Sequence, residues 1–356
     1  MRECEEPAVS EDKGHNRYVY VSVVIPALNE AQHIQEVLQR LFDQDWKTPY
    51  EIVVVDGGSD DGTVELIDAM IPKAPETVTV RVLRNPHRYI PHALNIGIRA
   101  AHGDIIVRLD AHTVPPVDFI SRCVKALEES GWNAIVGGRW RILPSTDSAV
   151  ARAIAWAVTH PLGSGRALYR SYVPGDENEE RLISVDTVPF GSYTKALWED
   201  VGGYDENLLS AEDYDFAFRS RQKGYRVLMD PKLVIDYFSR PTFFALAKQY
   251  YRYGYWTCQL IRKHRRIPAL RKLMPFGLVT TTIAMTLIRA EYGALLLALY
   301  AIVLFSVVVR DSRQQGYPIS SVPRCVGALI IVHWMYGVGN WAGLLKRISF
   351  GEEKGR

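Results

Sequence analysis

At 356 residues the chain has room for one large α/β domain with an appendage, or for two domains. Lys and Arg number 42 against 40 Asp and Glu, a net charge of +2 that gives no general attraction to nucleic acid, and no nucleic-acid partner is expected. The four cysteines, Cys4, Cys123, Cys258 and Cys325, lack both a disulfide framework and metal-ligand spacing, which fits a reducing compartment.

Residues 1–17 form a polar tail without an apolar run, so no secretory signal is expected and the catalytic part is placed in the cytoplasm. From Tyr18 to Ile25 the pattern predicts a buried strand, closed by Pro26 and followed by Asn29, Glu30 and an apolar-periodic helix over 34–42. A second strand runs from Glu51 to Asp56 and enters the turn Gly57-Gly-Ser-Asp-Asp-Gly-Thr63. A helix over 64–70, a strand over 78–83 and a helix over 93–101 follow. Such alternation of strands and helices predicts a right-handed, mostly parallel sheet covered on both faces.

The segment Gly103-Asp-Ile-Ile-Val-Arg-Leu-Asp110-Ala-His112 is an apolar strand that ends in a carboxylate and then an imidazole. An acid at the carboxyl end of a strand is how an open α/β sheet presents polar chemistry at its crevice. Asp110 and His112 can therefore offer oxygen and nitrogen ligands to Mg2+ or Mn2+; alternatively, Asp110 caps the turn before Pro115-Pro116. A helix over 116–129, the run Ala134-Ile-Val-Gly-Gly138 and a looser middle section come next. Residues 174–181 read as an exposed acidic loop, and order is expected again over 185–190. Glu212 and Asp213 open a helix, where acids complement the helix dipole whatever else they do, and a short strand is expected over 226–229.

From Phe243 to Ile261 aromatic and basic residues share a helical spacing, suited to a membrane interface or to packing against the α/β domain. Arg262, Lys263, His264, Arg265, Arg266, Arg271 and Lys272 then form a basic junction before three apolar stretches, 274–288, 293–309 and 322–345. The second is a good spanning segment. The first two suit a hairpin turning at 289–292, which would return Arg310 and Arg313 to the basic side. The third carries His333, Asn340 and several glycines, and Lys346-Arg347 leave it open between a span and a re-entrant or interfacial segment.

Several ordered motifs resemble the family 2 inverting glycosyltransferases of the GT-A fold over roughly Tyr18 to Gly254. Val23-Val-Ile-Pro-Ala-Leu-Asn-Glu30, Val53-Val-Val-Asp-Gly-Gly-Ser-Asp-Asp-Gly-Thr63 and Ala93-Leu-Asn-Ile-Gly-Ile-Arg-Ala-Ala-His-Gly-Asp104 are similar to its nucleotide-binding half. Leu109-Asp-Ala-His112 stands in the place of its Asp-x-Asp element. Gly203-Tyr-Asp-Glu206 and Ala211-Glu-Asp-Tyr-Asp-Phe-Ala-Phe-Arg219 are similar to its acceptor half. Arg88-Tyr-Ile-Pro-His-Ala-Leu-Asn95, the Asp-Ala-His triplet and the apolar tail are most similar to the succinoglycan-type, membrane-associated hexosyltransferases of exopolysaccharide assembly.

The resemblance implies an α/β GT-A domain over 18–242, with a nucleotide half to about 112 and an acceptor half from 113. An interfacial helix and linker would occupy 243–272 and membrane helices 273–347, before a tail over 348–356. It implies a nucleotide-diphosphate sugar donor, commonly a UDP-hexose, and inversion at the anomeric carbon. Pro26, Asn29 and Glu30 would line the nucleoside pocket, Asp56 would bind the uracil edge, and Asn95 would face the nucleotide or sugar. Asp110 and His112 would hold the diphosphate through a divalent metal, Asp213 would be the base, and Glu212 would support it. His112 replaces the second acid of Asp-x-Asp, which leaves fewer charges on the metal and favours a softer ion. Gln249-Tyr-Tyr-Arg-Tyr253 is similar to the Gln-x-x-Arg-Trp element with Tyr253 in place of Trp; Arg252 would approach the diphosphate or acceptor, or face headgroups.

The expected enzyme sits on the cell membrane with its catalytic domain on the cytoplasmic side, and transfers a hexose to a lipid-linked saccharide. Two alternatives are a sugar nucleotidyltransferase, for which Pro26-Ala-Leu-Asn-Glu30 supplies no basic triphosphate loop, and a non-catalytic membrane scaffold that retains the fold.

Overall fold

The computed structural model describes residues 19–165, 167–170, 179, 181–266 and 270–346. The N-terminal tail, most of the acidic loop, Arg347 and the tail after it lie outside the described residues.

Eight strands form one mixed sheet. They are β1 (Val21–Ala27), β2 (Tyr50–Asp56), β3 (Val78–Arg84), β4 (Ile105–Arg108), β5 (Ala134–Leu143), β6 (Ile183–Ser184), β7 (Ser192–Thr194) and β8 (Arg226–Phe238), in the order β3-β2-β1-β4-β7-β5-β8-β6. The nucleotide half is parallel throughout: β1 pairs with β2 and β4, and β2 with β3. Strand β7 joins the halves by running antiparallel to both β4 and β5.

Period-2 alternation sorts the strand residues into two cores. Val21, Val23 and Ile25 of β1 face a cluster with Ile52 and Val54, whereas Val24 faces a second one with Val53 and Val55. Helix α1 (Ile34–Phe42) covers the first face with Ile34, Val37, Leu38, Leu41 and Phe42, an i, i+3, i+4, i+7, i+8 stripe. Helices α2 (Thr63–Met70) and α4 (Phe119–Glu129) complete that layer. Helix α3 (Ile90–Ala100), α7 (Lys195–Val201) and α8 (Glu212–Gln222) cover the other.

Two expectations are corrected in the acceptor half. Strand β8 continues to Phe238 instead of ending at Met229, because Asp230-Pro231 is absorbed by a register shift against β5 between Gly137 and Arg139. Residues 185–190 form a loop after the two-residue β6, and Phe190 takes a left-handed φ of 50°. The loose middle section contains α5 (Ala149–Thr159), capped by Ser148 Oγ accepting from Ala151 N at 3.0 Å, and a single turn α6 (Pro161–Ser164).

Four helices close the chain: α9 (Phe243–His264), α10 (Met274–Ile288), α11 (Ala290–Gln314) and α12 (Val322–Leu345). By length and composition α11 and the helical stretch Ile319–Leu345 can cross a membrane, whereas α10, at 15 residues, falls short of the ~20 needed. Exposed Leu295, Leu299, Ile302, Val303 and Phe305 give α11 an apolar outer surface, which supports membrane association. The third stretch is an unbroken helix and not a re-entrant loop. It is fastened to α9 along a seam where a Cβ on Gly254 would stand 2.0 Å from the Tyr336 carbonyl oxygen, and one on Gly339 would stand 2.1 Å from that of Tyr251. Within the seam Asn340, fully buried, donates from Nδ2 to the Gly254 carbonyl at 2.9 Å.

Helix α9 packs on the catalytic domain, with Trp256 and Leu260 set against Leu208 and Tyr214. The basic junction at its end turns inward as well at three positions. Arg262 donates to the Gly343 carbonyl at 2.7 Å, Lys263 to Asp205 at 2.6 Å and Asp215 at 2.8 Å, and His264 Nε2 lies 2.7 Å from Asp215.

Candidate active site

Strand β4 stops at Arg108, and Leu109 N still bonds the Val24 carbonyl at 3.1 Å before the chain turns. Thr113 Oγ1 donates to the Asp110 carbonyl at 2.7 Å, fixing Asp110 at the sheet edge. Arg108 and Asp110, two residues apart, share one side. The Arg108 guanidinium reaches Asp110 Oδ1 at 3.3 Å and donates to Glu212 Oε1 at 3.0 Å. Burial alone would lower the Arg108 pKa, but the carboxylates of Asp110 and Glu212 hold it well above its ordinary value.

Glu212 is buried at the first turn of α8, and its pKa is raised: burial pushes it up, Arg108 opposes, and Asp213 adds to the rise. Just before it, Ala211 adopts a left-handed φ of 63°, a strained conformation for a residue with a Cβ and one that collects at functional sites. That turn delivers Glu212 and Asp213 to the cavity.

His112 Nδ1 lies 2.9 Å from Glu30 Oε1. Burial would lower the His112 pKa, but the hydrogen bond to Glu30 and the charges of Asp110 and Glu30 raise it. Glu30 thereby orients the ring and leaves Nε2 for another partner, the carboxylate–histidine arrangement that supports metal ligands. Asp110 keeps Oδ2 clear of Arg108. Among the described residues no cluster of three His, Cys, Asp or Glu side chains forms a closed metal cage. The pair fits an ion that takes its other ligands from substrate and water, as Mg2+ does.

Asp110, His112, Glu212, Asp213 and Arg252 border one cavity of about 890 Å³. The other five expected site residues do not border it. Pro26 is paired within β1, beside Val55 of β2. Asn29 and Asp56 build the adjoining loop: Asn29 Oδ1 accepts from Asp60 N at 3.0 Å, and Asp56 accepts from Gly58 N at 2.9 Å and Ser59 Oγ at 2.6 Å. Ser59 N is also shared between both Asp56 oxygens at 3.2 Å, so this carboxylate spends most of its acceptor capacity within the loop. Glu30 connects this loop to the cavity through His112.

Asn95 is placed differently from expectation. It is buried, its Nδ2 donates to the Tyr204 carbonyl at 2.9 Å and Glu206 at 2.8 Å, and its Oδ1 accepts from Tyr204 N at 2.9 Å. Both its donors and one acceptor position go into pinning Gly203-Tyr-Asp-Glu206 to α3, so it braces the acceptor half instead of facing the nucleotide.

Arg108 escaped the sequence reading although a lone cation in an apolar strand, in phase with Asp110, was a visible signal. Arg170, Lys272 and Trp140, which also border the cavity, are brought there by long-range packing that leaves no local pattern.

Residues 105–309 match the family described as Glycosyl transferase family group 2, and residues 22–178 match Glycosyl transferase family 2. The chain belongs to glycosyltransferase family 2. The succinoglycan biosynthesis protein ExoA of Rhizobium meliloti is 28% identical over 336 residues, covering 91% of this chain and 94% of that protein. A dolichyl N-acetyl-α-D-glucosaminyl phosphate 3-β-D-2,3-diacetamido-2,3-dideoxy-β-D-glucuronosyltransferase of Methanococcus voltae is 25% identical, covering 92% and 98%. Among solved structures, the mannosyltransferase PcManGT of Pyrobaculum calidifontis, in complex with GDP-Man and Mn2+, superposes with a TM-score of 0.59 at 22% identity over 88% of this chain and 87% of its own. That superposition establishes the GT-A-like fold. This family 2 glycosyltransferase uses a nucleotide-sugar donor, and the family assignment replaces the nucleotidyltransferase alternative.

Proposed function

We propose that this protein is a membrane-associated, divalent-metal-dependent inverting hexosyltransferase. It moves a hexose from a nucleotide-diphosphate sugar, commonly UDP-linked, to a lipid-linked saccharide in exopolysaccharide or cell-surface glycan assembly. The observation that carries the reading is the convergence of Asp110, His112, Glu212 and Asp213 on one cavity, roofed by Gln249, Arg252 and Tyr253 of α9 and by Pro275 and Tyr336 of the apolar helices.

Asp213, on the first turn of a rigid helix, takes the proton of the acceptor hydroxyl as that oxygen attacks the anomeric carbon opposite the leaving diphosphate. Glu212 is held by Arg108 and keeps the α8 start in register with the end of β4. Asp110 and His112 would hold Mg2+ or Mn2+, which when bound would offset the charge that develops on the leaving diphosphate. Glu30 orients His112 for that task, and Asn29 and Asp56 shape the nucleoside loop. The Mn2+ of PcManGT, the exopolysaccharide role in the name of ExoA and the phosphodolichyl acceptor of the Methanococcus enzyme support the same reading.

The deciding experiment is a screen of UDP- and GDP-sugars on the full-length protein in detergent with lipid extract, measuring nucleotide release with and without Mn2+ and Mg2+. Metal-stimulated release from one donor is expected; release from none would sink the proposal.

A further inference from the structure

Among the described residues, seven Arg and Lys side chains border the cavity against four Asp and Glu. Three of the acids are already engaged. Asp110 and Glu212 share Arg108, and Asp186 pairs with Arg271 at 3.1 Å and Arg221 at 3.4 Å. Asp213 is the fourth, reserved in the proposed reaction for the acceptor hydroxyl.

Four of the cations, Arg170, Arg240, Arg252 and Lys272, have no carboxylate partner among the described residues, and two of these, Arg170 and Lys272, lie against aromatic rings. The Arg170 guanidinium is caged by aromatic rings, its carbon 5.2 Å from the centroid of Trp140, 5.5 Å from Tyr169 and 5.6 Å from Tyr253. It makes a long 3.4 Å contact to the Tyr250 hydroxyl, and its Nε is buried without an acceptor. Trp140 is itself stacked on Tyr237 at 4.3 Å, so the cage is braced from behind. Lys272 Nζ stands 3.6 Å over the Tyr214 ring. Burial pulls the Lys272 pKa down to about 8, with Asp213 the first of the charges that oppose the fall.

Both side chains are half-buried, and a partly desolvated cation without a counter-ion carries a cost that an aromatic cage offsets only in part. A planar guanidinium and an ammonium that line the same cavity can both grip phosphate oxygens, the first in bidentate fashion and the second as a point charge. Such an oxyanion could come from the donor or from the acceptor. The adjoining wall favours the acceptor: it is built by Pro275, Val332, His333 and Tyr336 of α10 and α12, whereas Asp110 and His112 belong to the nucleotide half.

We propose that Arg170 and Lys272 form an oxyanion site beside Asp213 for the phosphate or diphosphate that links the acceptor saccharide to its lipid. This rests on the lipid-linked acceptor of the proposed function and names the residues that recognise its charged group.

The test uses full-length protein in detergent with EDTA, so that no metal holds a diphosphate at Asp110 and His112. Farnesyl diphosphate is titrated by calorimetry, alone and in the presence of saturating UDP or GDP. Binding that the nucleotides do not displace is expected. Arg170→Gln and Lys272→Met should each weaken it by about tenfold or more, the loss of one charge-assisted contact, with nucleotide affinity retained as the check on folding. Arg170→Lys should fall between. Absence of binding, or binding untouched by both substitutions, overturns the site; competitive displacement by nucleotide overturns its assignment to the acceptor. Because no turnover is involved, these outcomes are independent of whether a sugar donor is found.

Discussion

Arg108 Nη2 stands 3.0 Å from Glu212 Oε1, while the same guanidinium contacts Asp110 at 3.3 Å, so one buried cation ties the end of β4 to the start of α8. The two halves of the site, contributed by segments 104 residues apart, are registered through this single group. Replacing it with Gln should strand Glu212 in a buried setting and lower stability by about 3 kcal/mol, as breaking buried pairs does. Transfer should fall at least about tenfold through loss of alignment. Arg108→Gln combined with Glu212→Gln should recover stability but not transfer; thermal unfolding of both singles and the double measures this, and additive losses would show the two residues to be uncoupled.

Asp213→Asn should reduce transfer by about 10³-fold, within the range for removal of a general base, while nucleotide-sugar affinity stays unchanged. Single-turnover rates and donor titration separate the two quantities. A matching loss of donor affinity would move Asp213 from the proposed base to donor binding, and normal transfer would revive the non-catalytic scaffold.

Glu30→Gln should leave His112 in place but loosen its orientation. Loss of such a supporting carboxylate costs about 10- to 100-fold in metal affinity, so the Mn2+ concentration for half-activation should rise by that order. His112→Ala should do at least as much. An unaltered Mn2+ response in both would remove the histidine from the diphosphate clamp.

Asp215, buried on α8, accepts from Arg219 at 2.8 Å and Lys263 at 2.8 Å and lies 2.7 Å from His264 Nε2. Burial raises its pKa, but these partners outweigh burial and hold it far below the ordinary carboxylate range. Its folded-state value lies below the unfolded one of about 3.9, so the stabilisation is present above that pH and is lost as pH falls below it. Unfolding followed from pH 7 down to acid should show this loss in the wild type and a flatter profile in Asp215→Asn, which should already be weaker by about 3 kcal/mol at neutral pH. Parallel profiles would contradict the assignment.

The α9–α12 seam should be intolerant of the smallest side chain. Gly254→Ala puts a Cβ 2.0 Å from the Tyr336 carbonyl oxygen, an overpacking expected to cost about 2 kcal/mol. Gly277→Ala on α10, where an added Cβ meets nothing within 4 Å, serves as the control and should unfold at or slightly above the wild-type midpoint, alanine being the better helix former. Equal midpoints for the two would mean the seam is looser than described.

The nucleotide half was largely legible. Its strands are continuous apolar runs, its helix stripes follow the helical period, and α1 spans the residues its periodicity predicts, because local pattern and burial agree there. Legibility fell where long-range partners decide the outcome. The turn signal at Asp230-Pro231 hid the second half of β8, where residues 230–233 bulge out opposite the single Gly138 of β5 before pairing resumes at Val234. Asn95 sits inside a nucleotide-half motif yet is spent on Tyr204, a contact no local reading contains. Lys263 and His264 read as part of a basic junction on the chain and are claimed by Asp205 and Asp215 in space.

Helix α9 touches α8 on one flank and α12 on the other. Only the girth of a single helix, about 10 Å, separates the element that carries Asp213 from the apolar hairpin region. An enzyme built this way has no stalk: on the membrane reading, the sugar acceptor must be met at the bilayer surface itself, and trimming the anchor would remove a wall of the reaction chamber along with it.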